Sequence, residues 1–449
     1  MEKERLEATA GFGLNPENGC LERGFPHLMA TEGFCLADKG SRLHLLDRHY
    51  RYGVACYRLE LADKYIHTYD YAPEQIWGTY DSASSRMEFG EEDFVFDSLC
   101  YFRLCLRRVD GEAITETDAE AVREIVAYAS TAVKGTPSVF LEEVQQAAEK
   151  VNLLRSEGDL VLAVLADTHA TVNGTWQDTA ANLVALQEKV HFDGVVHLGD
   201  LTDGTVSRAM TGFYVSSMLK DLQQLNVPVH IVPGNHDANY FHGNPDVMPL
   251  HEQADLYQAG AGKWKRDKDK TYYHVDFPEQ RLRCLFLSAY ENESRPRYGF
   301  DLTQVAWVRE TLKETPDSWR VLVFSHDAPL PELDPWSEEI RNGSLLLQAL
   351  DSSEAQMLAY IHGHAHADFV YPWQGKKQFP IIAIGCAKCE DMTECKVEGS
   401  FTPARVLGEA SQELWDILII TNSGKLHFIR FGAGHDRAFP YGEGGSPKD

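Results

Sequence analysis

"EGDLVLAVLADTH", residues 157 to 169, is where the chain changes character. Gly158 and Asp159 punctuate, seven apolar residues follow, and the run ends on Asp167, Thr168 and His169. From here short apolar runs alternate with amphipathic stretches. The runs are "LVLAVLA" (160–166), "VVHL" (195–198), "VPVHIV" (227–232), "CLFLS" (284–288), "VLVF" (321–324), "AYIH" (359–362) and "FPIIAIG" (379–385). Helical periodicity falls near 178–190, 205–225 and 303–313. Continuous apolar strands with helical crossovers predict sheet layers covered by helices, an α/β fold. "LWDILIITNSGKLHFIRFGAG" (414–434) reads as a closing hairpin turning at Asn422, Ser423 and Gly424.

Upstream the pattern is different. Residues 1–135 read as a β-rich accessory domain. In "FVFDSLCYFRLCLRRVDG" (94–111), Phe102, Leu104 and Leu106 alternate with Arg103, Cys105 and Arg107 before an Asp110-Gly111 turn. "RYGVACYRLEL" (51–61) and "KYIHTYDY" (64–71) read as further strands. Residues 136–158 read as a linker helix, with Leu141, Val144, Ala148 and Val151 on one face. Residues 159–435 then read as a second domain, the one that carries the chemistry-bearing motifs below, and 436–449 as a tail.

The 449 residues carry 68 acidic against 42 basic side chains, a formal net charge of −26. That balance argues against a nucleic acid polymer or an anionic membrane surface as partner. The start, "MEKERLEATAGFGLNP", has no apolar core of a signal peptide, and no run is long enough to span a bilayer. Nine cysteines, an odd number, fit reduced thiols and a cytoplasmic location.

The strand ends carry the chemistry. "LVLAVLA" delivers Asp167 and His169; "VVHL" delivers Gly199-Asp200; "VPVHIV" delivers Gly234-Asn235-His236-Asp237; "VLVF" delivers Ser325-His326; "AYIH" delivers Gly363-His364-Ala365-His366. Ligands of α/β proteins gather at that carboxyl end. Asp, His and Asn together suit divalent Mn, Fe, Zn or Co. Asp167 and His169 stand two apart, as do His364 and His366, so an extended segment would aim both members of each pair the same way. Glycines beside Asp200, Asn235 and His364 permit tight turns and close approach. Any one motif is as well explained by a core or capping residue; five in this order, each behind an apolar run, are not.

The blocks "DTH", "GD", "GNHD", "SH" and "GHAH" resemble those of the calcineurin-like metallophosphoesterases over residues 160–430 or so. "GDLTDG" (199–204) and "QVAWVRETL" (304–312) support the likeness. The resemblance implies a two-sheet αββα sandwich and two divalent ions of open identity. Asp167, His169, Asp200 and His366 would hold the first ion. Asp200, Asn235, His326 and His364 would hold the second, with Asp200 bridging. His236, oriented by Asp237, would face the substrate phosphate and assist the leaving group while a metal-bridging hydroxide attacks. The run after Asp200 lacks the D-R-G of the protein Ser/Thr phosphatases, and Asp203 stands where purple acid phosphatases place a Tyr. The remaining likeness is to bacterial cyclic-nucleotide phosphodiesterase-type enzymes. That implies hydrolysis of a small phosphodiester; a phosphomonoesterase, or a binding scaffold on the same fold, is the alternative. Oligomeric state is open.

Other features read more weakly. "KWKRDKDK" (263–270) is a solvated basic loop or a lid, with Trp264 able to stack on a base or sugar. Cys386, Cys389 and Cys395 read as structural thiols, although Cys386 and Cys389 have the spacing of half a zinc site. His362 is left out of the ligand set. Asn173 and Trp176 line the pocket, or else that stretch serves a helix start capped by Asp178 or Thr179.

Overall fold

The computed structural model describes residues 6–58, 80–130, 135–170, 175–240, 244–257, 270–337, 339–390 and 397–439. The chain divides near residue 135 into two compact units. "KYIHTYDY" and most of the 263–270 stretch, with Trp264, lie outside the described residues, as do Asn173 and Cys395.

The first unit is β-rich. Its main sheet runs Ala8–Ala10, Leu28–Thr31, Cys100–Arg108, Tyr50–Arg58 and Arg86–Gly90, with Cys35–Ala37 also paired to Cys100–Arg108. All of these pairings are antiparallel. The alternation in Cys100–Arg108 separates two cores. Phe102, Leu104 and Leu106 pack with Tyr52, Val54 and Cys56 on one face, where Val122 and Ile125 cover them. Tyr101 and Cys105 pack with Ala55, Tyr57 and Phe34 on the other. Arg103 is buried on that second face, its guanidinium 3.9 Å from the centre of the Phe34 ring.

The second unit opens with α1 (Leu141–Leu154), then β1 (Leu160–Leu165), α2 (Trp176–Val190), β2 (Gly194–His197), α3 (Arg208–Gln223), β3 (Val229–Ile231) and α4 (Leu250–Tyr257). It continues with β4 (Tyr273–Phe277), β5 (Leu282–Leu287), α5 (Leu302–Lys313), β6 (Arg320–Ser325), α6 (Gly343–Asp351), β7 (Gln356–His362), β8 (Asp368–Gln374) and β9 (Gln378–Ile384). It closes with β10 (Leu414–Ile420), β11 (Leu426–Gly432) and β12 (Arg437–Phe439).

One sheet has the order β3-β2-β1-β10-β11-β12 and the other β4-β5-β6-β7-β9-β8. β1, β2 and β3 are parallel, as are β5, β6, β7 and β9. The period of two sets the layers. Leu160, Leu162 and Val164 of β1 point into the core between the sheets, against Cys284 and Phe286 of β5 and Leu322 and Phe324 of β6. Val161, Ala163 and Leu165 point the other way, under α1, α2 and α3. Val321 and Val323 of β6 face α5 and α6. The result is the expected αββα sandwich.

Three details differ from the sequence reading. Leu141 is exposed, and Ala147 takes its place beside Val144, Ala148 and Val151. Those residues pack α1 against α2 and β11, so the helix read as a linker is a layer of the sandwich. β4 and β8 were not legible because they are the two outermost strands of their sheet. The far edges of the sandwich are tied by charge: Arg430 of β11 meets Asp416 of β10 at 3.0 Å and Asp368 of β8 at 2.9 Å, all buried or nearly so. Arg437 reaches the same two carboxylates, at 2.6 Å and 3.2 Å. Both sheets contribute, so the network fixes their relative register. No helix among the described residues is long and apolar enough to cross a membrane.

Candidate metal centre

Each strand end turns sharply before it presents its side chain. Asp167, His169, Asp200, His364 and His366 all have positive φ, between 39° and 61°. The expected extended alternation is therefore wrong. In both D-x-H and H-x-H the chain leaves the sheet through left-handed turns, and the paired side chains converge because the backbone bends. Backbone hydrogen bonds lace the loops together: Asp167 N–H donates to Gly199 O at 2.9 Å and His169 N–H to Asp200 O at 3.0 Å. Two glycines make room. A Cβ on Gly199 (φ 100°) would lie 2.6 Å from His326 Nδ1, and one on Gly363 would lie 2.6 Å from Asp167 Oδ2.

The side chains form two clusters that share Asp200. Asp167, His169, Asp200 and His366 bring one ligand atom each within 4.8 Å of one another, and Asp200, His326 and His364 do the same. His366 Nε2 is 3.3 Å from Asp167 Oδ1, and His326 Nε2 is 3.3 Å from Asp200 Oδ2. Asn235 Oδ1 lies 3.0 Å from that same His326 nitrogen. All are buried or nearly so. Burial opposes charge on Asp200, yet the imidazoles of His326 and His236 hold its carboxyl well below the usual carboxylate range.

The residues fit divalent ions. Asp167 Oδ1, His169 Nε2 and Asp200 Oδ2 are buried with no hydrogen-bond partner among the described residues. Such atoms are costly unless a cation meets them. The mixed oxygen and nitrogen donor set is one that divalent transition ions take.

A second ring of contacts sets the tautomers. His169 Nδ1 meets Asp203 Oδ1 at 3.2 Å, His366 Nδ1 meets Glu390 Oε1 at 2.6 Å, and His326 Nδ1 meets the Leu198 carbonyl at 2.7 Å. In each ring the far nitrogen is left for the centre. Glu390 is itself held by Lys388 at 2.7 Å. Arg405 fixes the turn that carries both, donating to the carbonyls of Cys386 at 2.7 Å and Ala387 at 3.0 Å. Glu390→Gln should therefore weaken metal binding about 10- to 100-fold, with the fold retained. Metal titration of the stripped protein checks this.

Asp237 does not orient His236. Its carboxylate accepts from the N–H groups of Asp200, Leu201 and Gly234 at 2.8, 3.0 and 2.9 Å, which locks the loops after β2 and β3 together. The His236 ring is fixed instead by the Asp203 backbone carbonyl, 2.8 Å from Nδ1. That leaves Nε2 toward the centre, 3.8 Å from Asp200 Oδ2.

Four acidic residues around the centre were missed: Asp203, Asp327, Asp334 and Glu390. Asp203 stood in "GDLTDG" and Glu390 in "GCAKCEDMTEC", and nothing local marks either as a partner of a distant imidazole. Other readings change. Trp176 sits in the outer core under α2, its indole N–H donating to Asp221 at 2.8 Å, so it is not a pocket wall. Neither Asp178 nor Thr179 caps α2, whose N-cap is Thr175; they bond Gln412 and Glu413. Cys386 and Cys389 are buried thiols in no disulfide, and Cys386 Sγ lies 3.3 Å from the Asp167 carbonyl. His362 is buried against Phe369, with Nδ1 beside the Gly363 carbonyl.

The sandwich and the paired clusters define a dinuclear-metal phosphoesterase domain. Residues 160–368 match the model of the calcineurin-like phosphoesterase family, and the domain they form belongs to it. The family depends on two divalent ions and hydrolyses phosphate esters. Among solved structures, the chain is similar to a dimetal phosphatase from Danio rerio, at 16% identity and a TM-score of 0.48, over 63% of this chain and 99% of that one. It is also similar to the phosphopantetheinyl hydrolase from Mycobacterium tuberculosis, at 12% identity and a TM-score of 0.33, over 51% of this chain and 91% of that one. No match is found among curated protein sequences.

Proposed function

We propose that the centre hydrolyses a small phosphodiester. Asp167, His169, Asp200 and His366 hold one ion; Asp200, Asn235, His326 and His364 hold the other. When bound, the ions supply Lewis acidity toward the phosphoryl oxygens. The chain does the rest. Asp200 spans both positions, and its Oδ1 is fixed by the His236 N–H at 2.9 Å. Asp237 holds the two loops in register.

His236 presents Nε2 to the space over the ions and assists the leaving oxygen. Burial pushes this imidazole down to about 3. An anionic phosphate against Nε2 works in the opposite direction by favouring the imidazolium.

The observation that carries the diester reading is the acidity of the surroundings. Asp203, Asp327, Asp334 and Glu390 crowd the ligands, and Lys388 is engaged by Glu390. A monoanionic diester suits that field better than a dianionic monoester. The test compares bis-aryl and mono-aryl phosphates at matched metal loading. Higher kcat/KM is expected on the diester, and a faster monoester would overturn the reading.

A further inference from the structure

The ligand set proposed for the second ion leaves Asp327 without a role. It follows His326 directly, at the end of β6. It is fully buried, and neither carboxylate oxygen has a hydrogen-bond partner among the described residues. Buried carboxylates are found with donors, with opposite charges or on metals. The nearest groups that could serve are two imidazoles of the site. Asp327 Oδ1 is 4.0 Å from His326 Nε2 and 3.5 Å from His364 Nδ1.

His326 Nε2 is the point to examine, since Nδ1 is taken by the Leu198 carbonyl. Around it stand Asn235 Oδ1 at 3.0 Å, Asp200 Oδ2 at 3.3 Å and Asp327 Oδ1 at 4.0 Å. Ligands that share one ion at about 2.0 to 2.2 Å cannot lie more than roughly 4.4 Å apart. All three distances to His326 Nε2 fall inside that limit, and Asp327 groups within 4.8 Å with His364, a residue it shares with the Asp200 and His326 cluster. We propose that Asp327 is a further protein ligand of the second ion, through Oδ1. Asp334 has a different part: its Oδ1 lies 3.4 Å from His364 Nε2, so it positions the ring whose Nδ1 faces Asp327 and the ion.

One consequence concerns substrate, and it rests on the diester reading. A third carboxylate on two divalent ions removes one positive charge from the centre. That lowers the attraction for a dianionic monoester more than for a monoanionic diester. Taking the charge away should shift selectivity toward monoesters.

The experiment titrates metal-stripped protein with Mn²⁺ by calorimetry and measures bound metal after gel filtration. It compares the native chain with Asp327→Asn, with Asp327→Ser as a second variant. The expected result is an unchanged first ion and a second ion bound at least about tenfold more weakly. Metal-free Asp327→Asn should also melt at or above the native temperature, because a buried carboxylate with no hydrogen-bond donor among the described residues has gone. A carboxylate that merely supported the fold would give the reverse. Two ions bound with native affinity would overturn the proposal. So would a lower metal-free melting temperature with loss of both ions. Loss of a third equivalent of metal, with two retained, would assign Asp327, Asp334 and His364 to a separate site and overturn it as well. None of these readouts uses substrate. A weakened second ion without the selectivity shift would count against the diester reading and leave the ligand assignment standing.

Discussion

Asp200→Ala should leave a folded protein that holds less than its full complement of metal and has lost nearly all activity. Asp200 is the one residue common to both clusters. Its Oδ2 faces His326 at 3.3 Å and His169 at 3.8 Å, while Oδ1 accepts the backbone N–H of His236 at 2.9 Å. Removing it therefore opens both positions and frees the loop that carries His236. Lewis-acid stabilisation by the ions contributes several kcal/mol at the transition state, so a loss of about 10³-fold or more in kcat/KM is expected. Elemental analysis beside steady-state kinetics checks both parts. Native metal content in this variant would show that Asp200 does not bridge.

His236→Ala should separate catalysis from metal binding. The ring meets the centre through Nε2, at 3.8 Å from Asp200 Oδ2, and edge-on to the His169 ring at 4.7 Å, while its other nitrogen is tied to the Asp203 carbonyl. Loss of a positioned acid or charge donor costs about 10²- to 10⁴-fold in turnover, with metal occupancy near native. The effect should shrink on substrates whose leaving group is a good one, because such a group needs little help. A uniform loss across leaving groups, or a loss of metal equal to the loss of rate, would place His236 among the ligands instead.

How much of this was legible in the sequence depends on where each partner lies. The strands that build the sandwich were, because β1, β5, β6 and β7 are buried on both faces and so read as unbroken apolar runs. The side chains that cluster at the strand ends were, because each follows its run within a few residues. The outermost strands β4 and β8 were not, since an edge strand has only one neighbour to pack on and its composition is mixed; β8 even carries Pro372. Nor was the second ring of contacts. Glu390 lies 24 positions from His366, and Asp203 lies 34 from His169. Only the closing of the two sheets makes them neighbours. The spacing argument for Asp167 and His169 reached the right pair through the wrong geometry. It assumed a strand where the chain makes a left-handed turn, and a period of two cannot reveal that.

Those turns have a consequence for any attempt to improve the protein. Five positions at the centre hold a backbone conformation that costs on the order of 1–3 kcal/mol each for residues other than glycine. Four of them, Asp167, His169, Asp200 and His364, also carry buried atoms with no hydrogen-bond partner among the described residues. Without metal, then, the least comfortable residues of the domain are the ones proposed to hold the ions. A thermostability screen run on metal-free protein would enrich Gly or Asn at Asp167, Asp200 and His364, and would return sturdier proteins with no reaction to perform. Run in excess metal, the same screen would spare them, because binding to the folded state alone adds RT ln(1 + [L]/Kd) to its stability. The condition of selection, more than the library, would decide whether the enzyme survives it.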